Sequence, residues 1–148
     1  MFVQIILGSS LILATVVISG ASYLVMETLF MRFHNWLVRR PHAPKQMLVL
    51  CVAALWILML VTIAVWIWAA AFRLLGIFPT LEASVYFALV SYTTLGFGDV
   101  LLPQDWRLLS GMLAANGLLN IGMSTAILIE VMRQLRVNQS EAVTNDSL

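Results

Sequence analysis

The chain has 148 residues, 61% of them hydrophobic and only 10% charged, with a mean hydropathy of +0.96. An ordinary soluble domain carries about a quarter charged residues, and so short a chain has no core that can bury this apolar excess, so lipid is the solvent for most of it. A net charge of +1 gives no footprint for a nucleic-acid partner, and the single cysteine, Cys51, excludes an intrachain disulfide.

Crossing the hydrocarbon takes about 20 predominantly apolar residues. Residues 2–25 form a first span, with Ser9, Ser10, Thr15, Ser19 and Ser22 scattered along it. Nothing before Arg32 is basic, so the n-region of a signal peptide is missing and residues 1–30 read as an uncleaved N-terminal transmembrane helix. A basic, interfacial segment follows at 31–46. Across its start, Leu29, Phe30, Phe33, Trp36 and Leu37 recur at helical spacing, while Arg32, His34, Asn35, Arg39 and Arg40 occupy other faces. That pattern fits either an amphipathic helix in the headgroup layer or a straight continuation of the first span. Pro41 and Pro44 then break the chain.

The second span, 47–72, is interrupted only by Thr62. Residues 81–92 are apolar but too short to cross, and so predict a re-entrant or buried helix. Pro79-Thr80 supplies its turn and N-cap, and Glu82 lies in its first turn, where negative charge is favoured. The third span, 108–132, contains Asn116 and Asn120, four apart and therefore on one face. They either line a wet cavity or hydrogen-bond to neighbouring helices. Residues 133–148 are polar and read as a disordered tail, leaving no room for a soluble regulatory domain. The fold class expected is thus an all-α membrane protein with three transmembrane helices and a short helix and loop between the second and third.

Six basic residues flank one set of span ends (Arg32, Arg39, Arg40, Lys45, Arg133, Arg136) against Arg73 and Arg107 at the other. The first connection and the C-terminus are therefore expected in the cytoplasm and the N-terminus outside. Trp66, Trp68 and Trp106 then fall at the outer aromatic belt and Trp36 at the inner one. Glu130, at the inner end of the third span, forms either an anionic ring between copies or an ordinary pair with Arg133 or Arg136. Glu27 is read as interfacial, and His34 and His42 as solvated. The arginines lack the regular spacing of a voltage sensor. No H-E-x-x-H, G-x-S-x-G or phosphate-binding glycine loop is present, so an enzyme is not expected.

The run Tyr92-Thr93-Thr94-Leu95-Gly96-Phe97-Gly98-Asp99 follows the short helix directly. Non-helical backbone at membrane depth is tolerated only when buried in protein or lining a water-filled path. Gly96 and Gly98, at alternate positions, permit positive φ, which lets successive carbonyls face one side. Such a row, with the Thr94 hydroxyl at its inner end, replaces the water shell of a cation. One chain supplies one wall of the cage, so several copies must surround an axis.

Thr94-Leu95-Gly96-Phe97-Gly98-Asp99 resembles the T-V-G-Y-G-D selectivity filter of tetrameric potassium channels, and the likeness extends over residues 47–132: outer helix, pore helix, filter (93–99) and inner helix. The resemblance implies a homotetramer in a bacterial inner membrane, conducting K⁺ passively, with the permeant ion and no other cofactor. It implies a filter of Thr93, Thr94, Leu95, Gly96, Phe97 and Gly98, the carbonyls of Thr94, Leu95, Gly96 and Phe97 holding K⁺. Asp99 braces the outer mouth, with Tyr86, Phe87 and Val90 as supporting positions; Phe97 lacks the usual tyrosine hydroxyl, and Tyr86 has one to offer Asp99. Gly117 matches a hinge and Gly122 a site of close helix approach, although Gly117 also suits plain packing. Leu118, Asn120, Ile121 and Thr125 are the accompanying hinge and cavity candidates. A weakly selective cation channel and a non-conducting regulatory subunit are the alternatives.

Overall fold

The computed structural model describes the backbone of residues 1–38 and 42–145, without the side chains of 30–31, 33–38, 42–43, 135 and 138–145. It comprises α1 (Phe2–Val38), α2 (His42–Leu74), α3 (Leu81–Tyr92), a single 3₁₀ turn at Gln104–Trp106 and α4 (Arg107–Asn145). No strand occurs among the described residues. Three stretches are long and apolar enough to cross a membrane: Phe2–Leu29, Pro44–Leu74 and Gln104–Gln134. The chain is a multi-pass, all-helical membrane protein.

α1 continues without a break to Val38, so its backbone takes the straight-continuation alternative. The side chains that define the amphipathic pattern, with His34, Trp36 and His42, lie outside the described residues. At the other end a correction is needed: α4 continues as helix to Asn145, through residues expected to be an irregular tail. After Gly122 the chain holds no glycine or proline to stop a helix. Glu130 meets Arg133 at 2.7 Å and Gln134 at 2.9 Å along one helical face, and so takes the paired alternative.

What stops α2 is a glycine. Gly76 adopts φ +65°, Ile77 N–H donates to the Phe72 carbonyl, and Gly76 N–H donates to that of Arg73, both at 3.1 Å. This is a Schellman closure, which satisfies carbonyls a helix end otherwise leaves bare. It reverses the chain into the Thr80 cap of α3, whose hydroxyl accepts from Ala83 N–H at 3.2 Å.

The core lies where α2, α3 and α4 meet. Phe72, Phe78 and Phe87 form a triad with centroids 5.3–6.2 Å apart, and Trp68 lies 5.9 Å from Phe72. Leu109 and Leu113 close it from α4. Trp68 therefore corrects the belt expectation: it is wholly buried, while Trp66, two residues away, faces outward. The Phe87 ring packs against Phe72 and Phe78 and so anchors α3 to α2.

α1 runs parallel to α4 in a fixed register. Thr15 Oγ1 donates to Asn116 Oδ1 at 3.0 Å, Ser19 Oγ to Asn120 Oδ1 at 2.7 Å, and Tyr23 Oη to Ser124 Oγ at 3.1 Å, each pair 101 residues apart. Gln4 adds a fourth contact at the same offset, to the carbonyl of Asp105. The N-terminus therefore sits at the end of the molecule that carries segment 93–106. Within α4, Asn120 Nδ2 donates to Asn116 Oδ1 at 2.7 Å and Ser124 Oγ to the Asn120 carbonyl at 2.7 Å, joining the rungs. α2 is tied in by Trp56 Nε1, which donates to Ser22 Oγ at 2.7 Å. Without a hydrophobic drive between helices in lipid, such bonds and close packing set helix register.

Candidate functional site

The site grows out of the C-terminal end of α3. Thr93 N–H donates to the Leu89 carbonyl and Thr94 N–H to that of Ser91, both at 3.0 Å. The Val90 carbonyl then accepts twice, from Leu95 N–H at 3.0 Å and from Gly96 N–H at 3.2 Å. Val90 thus supports the segment through its backbone, its side chain being buried beneath. Four consecutive amides, Thr93 to Gly96, are turned back onto the helix end, and no carbonyl of Thr94, Leu95, Gly96 or Phe97 is taken by a hydrogen bond among the described residues.

Backbone conformation alternates along the segment. Thr94, Gly96 and Gly98 have φ of +59°, +56° and +77°. The glycines take this freely; Thr94 is β-branched, for which positive φ is a true outlier costing about 1–3 kcal/mol. The Ser91 carbonyl that holds its own N–H, and the Val90 carbonyl that holds those of Leu95 and Gly96, over-determine the strain. Glycine spacing does not reveal Thr94, whose positive φ no local sequence signal favours.

At the far end, Tyr86 Oη donates to Asp99 Oδ2 at 2.6 Å. That bond is the first reason Asp99 is held below the usual carboxylate range; the N–H groups of Asp99 and Val100 add to it, against partial desolvation. A lowered value means that the bond is at full strength above the ordinary carboxylate range and is lost as pH falls through the lowered one. Tyr86→Phe should accordingly raise the Asp99 titration toward the usual range, read by carbon NMR of the carboxyl. A titration that stays where it was would show that the phenol does not hold Asp99.

The segment is open on one side. Leu95 is 59% and Phe97 68% exposed in the single chain. α4 presents a matching face: Leu118, Ile121, Gly122 and Thr125 are exposed, while Leu113, Asn116, Gly117, Asn120 and Ser124 are buried on the opposite side. Asn120 therefore leaves the cavity group proposed for it; at 4% exposure it belongs to the α1 contact. Beyond its own turn of helix, Gly122 has no atom of the described residues within 4 Å of where a Cβ would lie, which leaves room there for another molecule. Gly117 is the reverse. A Cβ on it would stand 1.8 Å from the Tyr92 carbonyl oxygen, so the glycine is a seat for α3's last turn.

Among the described residues no cluster of His, Cys, Asp and Glu is arranged to hold a metal ion. The C-terminal end of α3, with its negative dipole end, leads directly into the start of the segment.

No curated protein and no solved structure is a match to the chain. A family model described as ion channel matches residues 47–134, which take in α2 from its sixth residue, α3, segment 93–99 and the apolar length of α4. With more than half the chain covered, and a strained, carbonyl-rich loop held on a short helix between two spans, the protein belongs to the ion channel family.

Proposed function

We propose that four copies of the chain surround a common axis and conduct K⁺ passively through segment 93–98. The observation that carries this reading is the alternation of positive φ at Thr94, Gly96 and Gly98, together with the return of four amides to α3. Both leave the carbonyls of Thr94 to Phe97 unengaged, and such a row in place of a hydration shell is how K⁺ filters work. Adjacent bound ions repel one another, and flux follows. Asp99, clamped by Tyr86, braces the outer mouth. The exposed Leu95 and Phe97, on a chain whose α4 is bare at Leu118, Ile121, Gly122 and Thr125, support self-association around the filter. The excess of arginine and lysine on one set of span ends supports an inner membrane with the N-terminus outside.

Purified protein in liposomes tests the reading by K⁺ efflux against Na⁺ efflux, with Gly96→Ala as control. Gly96 holds φ +56°, where a Cβ costs about 1–2 kcal/mol per residue. The wild type should pass K⁺ at least about tenfold faster than Na⁺, and Gly96→Ala should lose that flux. Equal K⁺ and Na⁺ rates would indicate a weakly selective cation channel, and no flux at all a regulatory subunit.

A further inference from the structure

Two features outside the conduction pathway meet at one place on α4. The ladder from α1 grips α4 at Asn116, Asn120 and Ser124. Between its first two rungs lies Gly117, seated so closely on the Tyr92 carbonyl that a Cβ would come within 1.8 Å of it. Tyr92 ends α3, and Thr93 and Thr94 begin the filter. Asn116 belongs to both features. Its Oδ1 takes the Thr15 hydroxyl and the Asn120 amide, while its buried Nδ2 has no partner. The amide is therefore held from one end only, and its orientation depends on Thr15 and Asn120.

We infer that α1 is a positioning element for the filter: Thr15 and Ser19, acting through Asn116 and Asn120, keep Gly117 seated and so fix the height and tilt of the filter's foot. The inference rests on the conduction reading above. A backbone-on-backbone seat has no side chain to absorb a displacement, and close-packed interiors transmit strain. In lipid the rungs themselves set where α4 stands against α1. A lost rung thus moves the seat, and through it the carbonyls that discriminate between ions. Thr15 and Ser19 touch no ion.

The test compares Thr15→Val, which removes the hydroxyl at nearly constant shape, with Thr15→Ser, which keeps it. K⁺ and Na⁺ efflux are measured on full-length protein in liposomes, beside the melting temperature in detergent. Thr15→Val should lower the K⁺/Na⁺ ratio by about threefold or more, with melting little changed, and Thr15→Ser should retain the wild-type ratio. A wild-type ratio in Thr15→Val, or an equal loss in both variants, overturns the inference. Ser19→Ala against Ser19→Thr repeats the comparison one turn along if Thr15→Val fails to assemble. Absence of K⁺ preference in the wild type would instead overturn the conduction reading, and this one with it.

Discussion

Gly117→Ala is expected to abolish stable assembly and ion flux together, whereas Gly122→Ala, on the exposed face of the same helix, should leave the packing of the chain's own helices unchanged. The difference lies in what a single methyl meets. At 117 it would lie 1.8 Å from the Tyr92 carbonyl oxygen and 2.7 Å from its carbon; at 122, beyond the helix's own turn, nothing among the described residues is within 4 Å. Overpacking an ordinary core costs about 1–3 kcal/mol because side chains re-rotamerise to make room. Two backbones cannot do so, so α4 must separate from α3 along its length. That also unseats Leu113 from the aromatic core and pulls Asn116 from Thr15. Thermal unfolding of the purified protein, followed by light scattering, reads the first consequence, and liposome flux the second.

The same pair of variants separates packing from hinging. A pivot glycine needs space to bend, and its alanine variant stiffens a helix that still folds. If Gly117→Ala melted like the wild type while its opening changed, the pivot role would stand and the seat would not. With Gly117 seated and Asn116, Asn120 and Ser124 tied to α1, bending near 117 would have to break all of these together. Motion of α4 is freer beyond Ser124, where Thr125 and Ala126 face outward and the ladder has ended.

Which of these features a reader of the sequence meets depends on how local their cause is. The short helix at 81–92 is legible because its cap, its acidic first turn and its length lie within a few residues of one another. Gly96 and Gly98 are legible because glycine at alternate positions has few other uses. The Tyr86–Asp99 bond follows once α3 and the loop are placed, since the two residues are 13 apart. Thr94 is not legible: nothing local favours positive φ in a β-branched residue, and only the hydrogen bonds to α3 impose it. Trp66 and Trp68 look alike in a span, and packing against Phe72 decides which is buried. The C-terminal helix was hidden by a different cause, because polar residues without an apolar stripe resemble both a solvated helix and a coil. The ladder was half legible. Thr15, Ser19 and Tyr23 share the four-residue spacing of Asn116, Asn120 and Ser124, yet nothing local says which helices adjoin or in what register.

That ladder carries the second large effect: a chain lacking residues 2–29 should fail to yield a stable membrane assembly, although the family's match begins only at residue 47. By extent of the match alone, the first helix lies outside the pore family's two spans. Its removal, however, leaves Asn116, Asn120 and Ser124, all buried at 5% exposure or less, facing lipid. Each rung gained is modest, about 0.6 kcal/mol for an interhelical bond in a membrane. Each amide left without partners in an apolar medium is dearer, about 1–3 kcal/mol by mutational data. The penalty of exposure, more than the bonds forgone, is therefore what should prevent assembly. This ordering has its own check. In the truncated chain, Asn116→Leu with Asn120→Leu and Ser124→Ala should restore membrane-stable protein, since an apolar face suits lipid. In the full-length chain, the same triple change should impair it by stranding the hydroxyls of Ser19 and Tyr23, whereas that of Thr15 keeps the Ile12 carbonyl at 2.9 Å. Yield and melting in detergent read both arms. Rescue in neither background would mean that α1 stabilises the pore by bulk packing at Gly8 and Met112, and that the polar rungs only set its register.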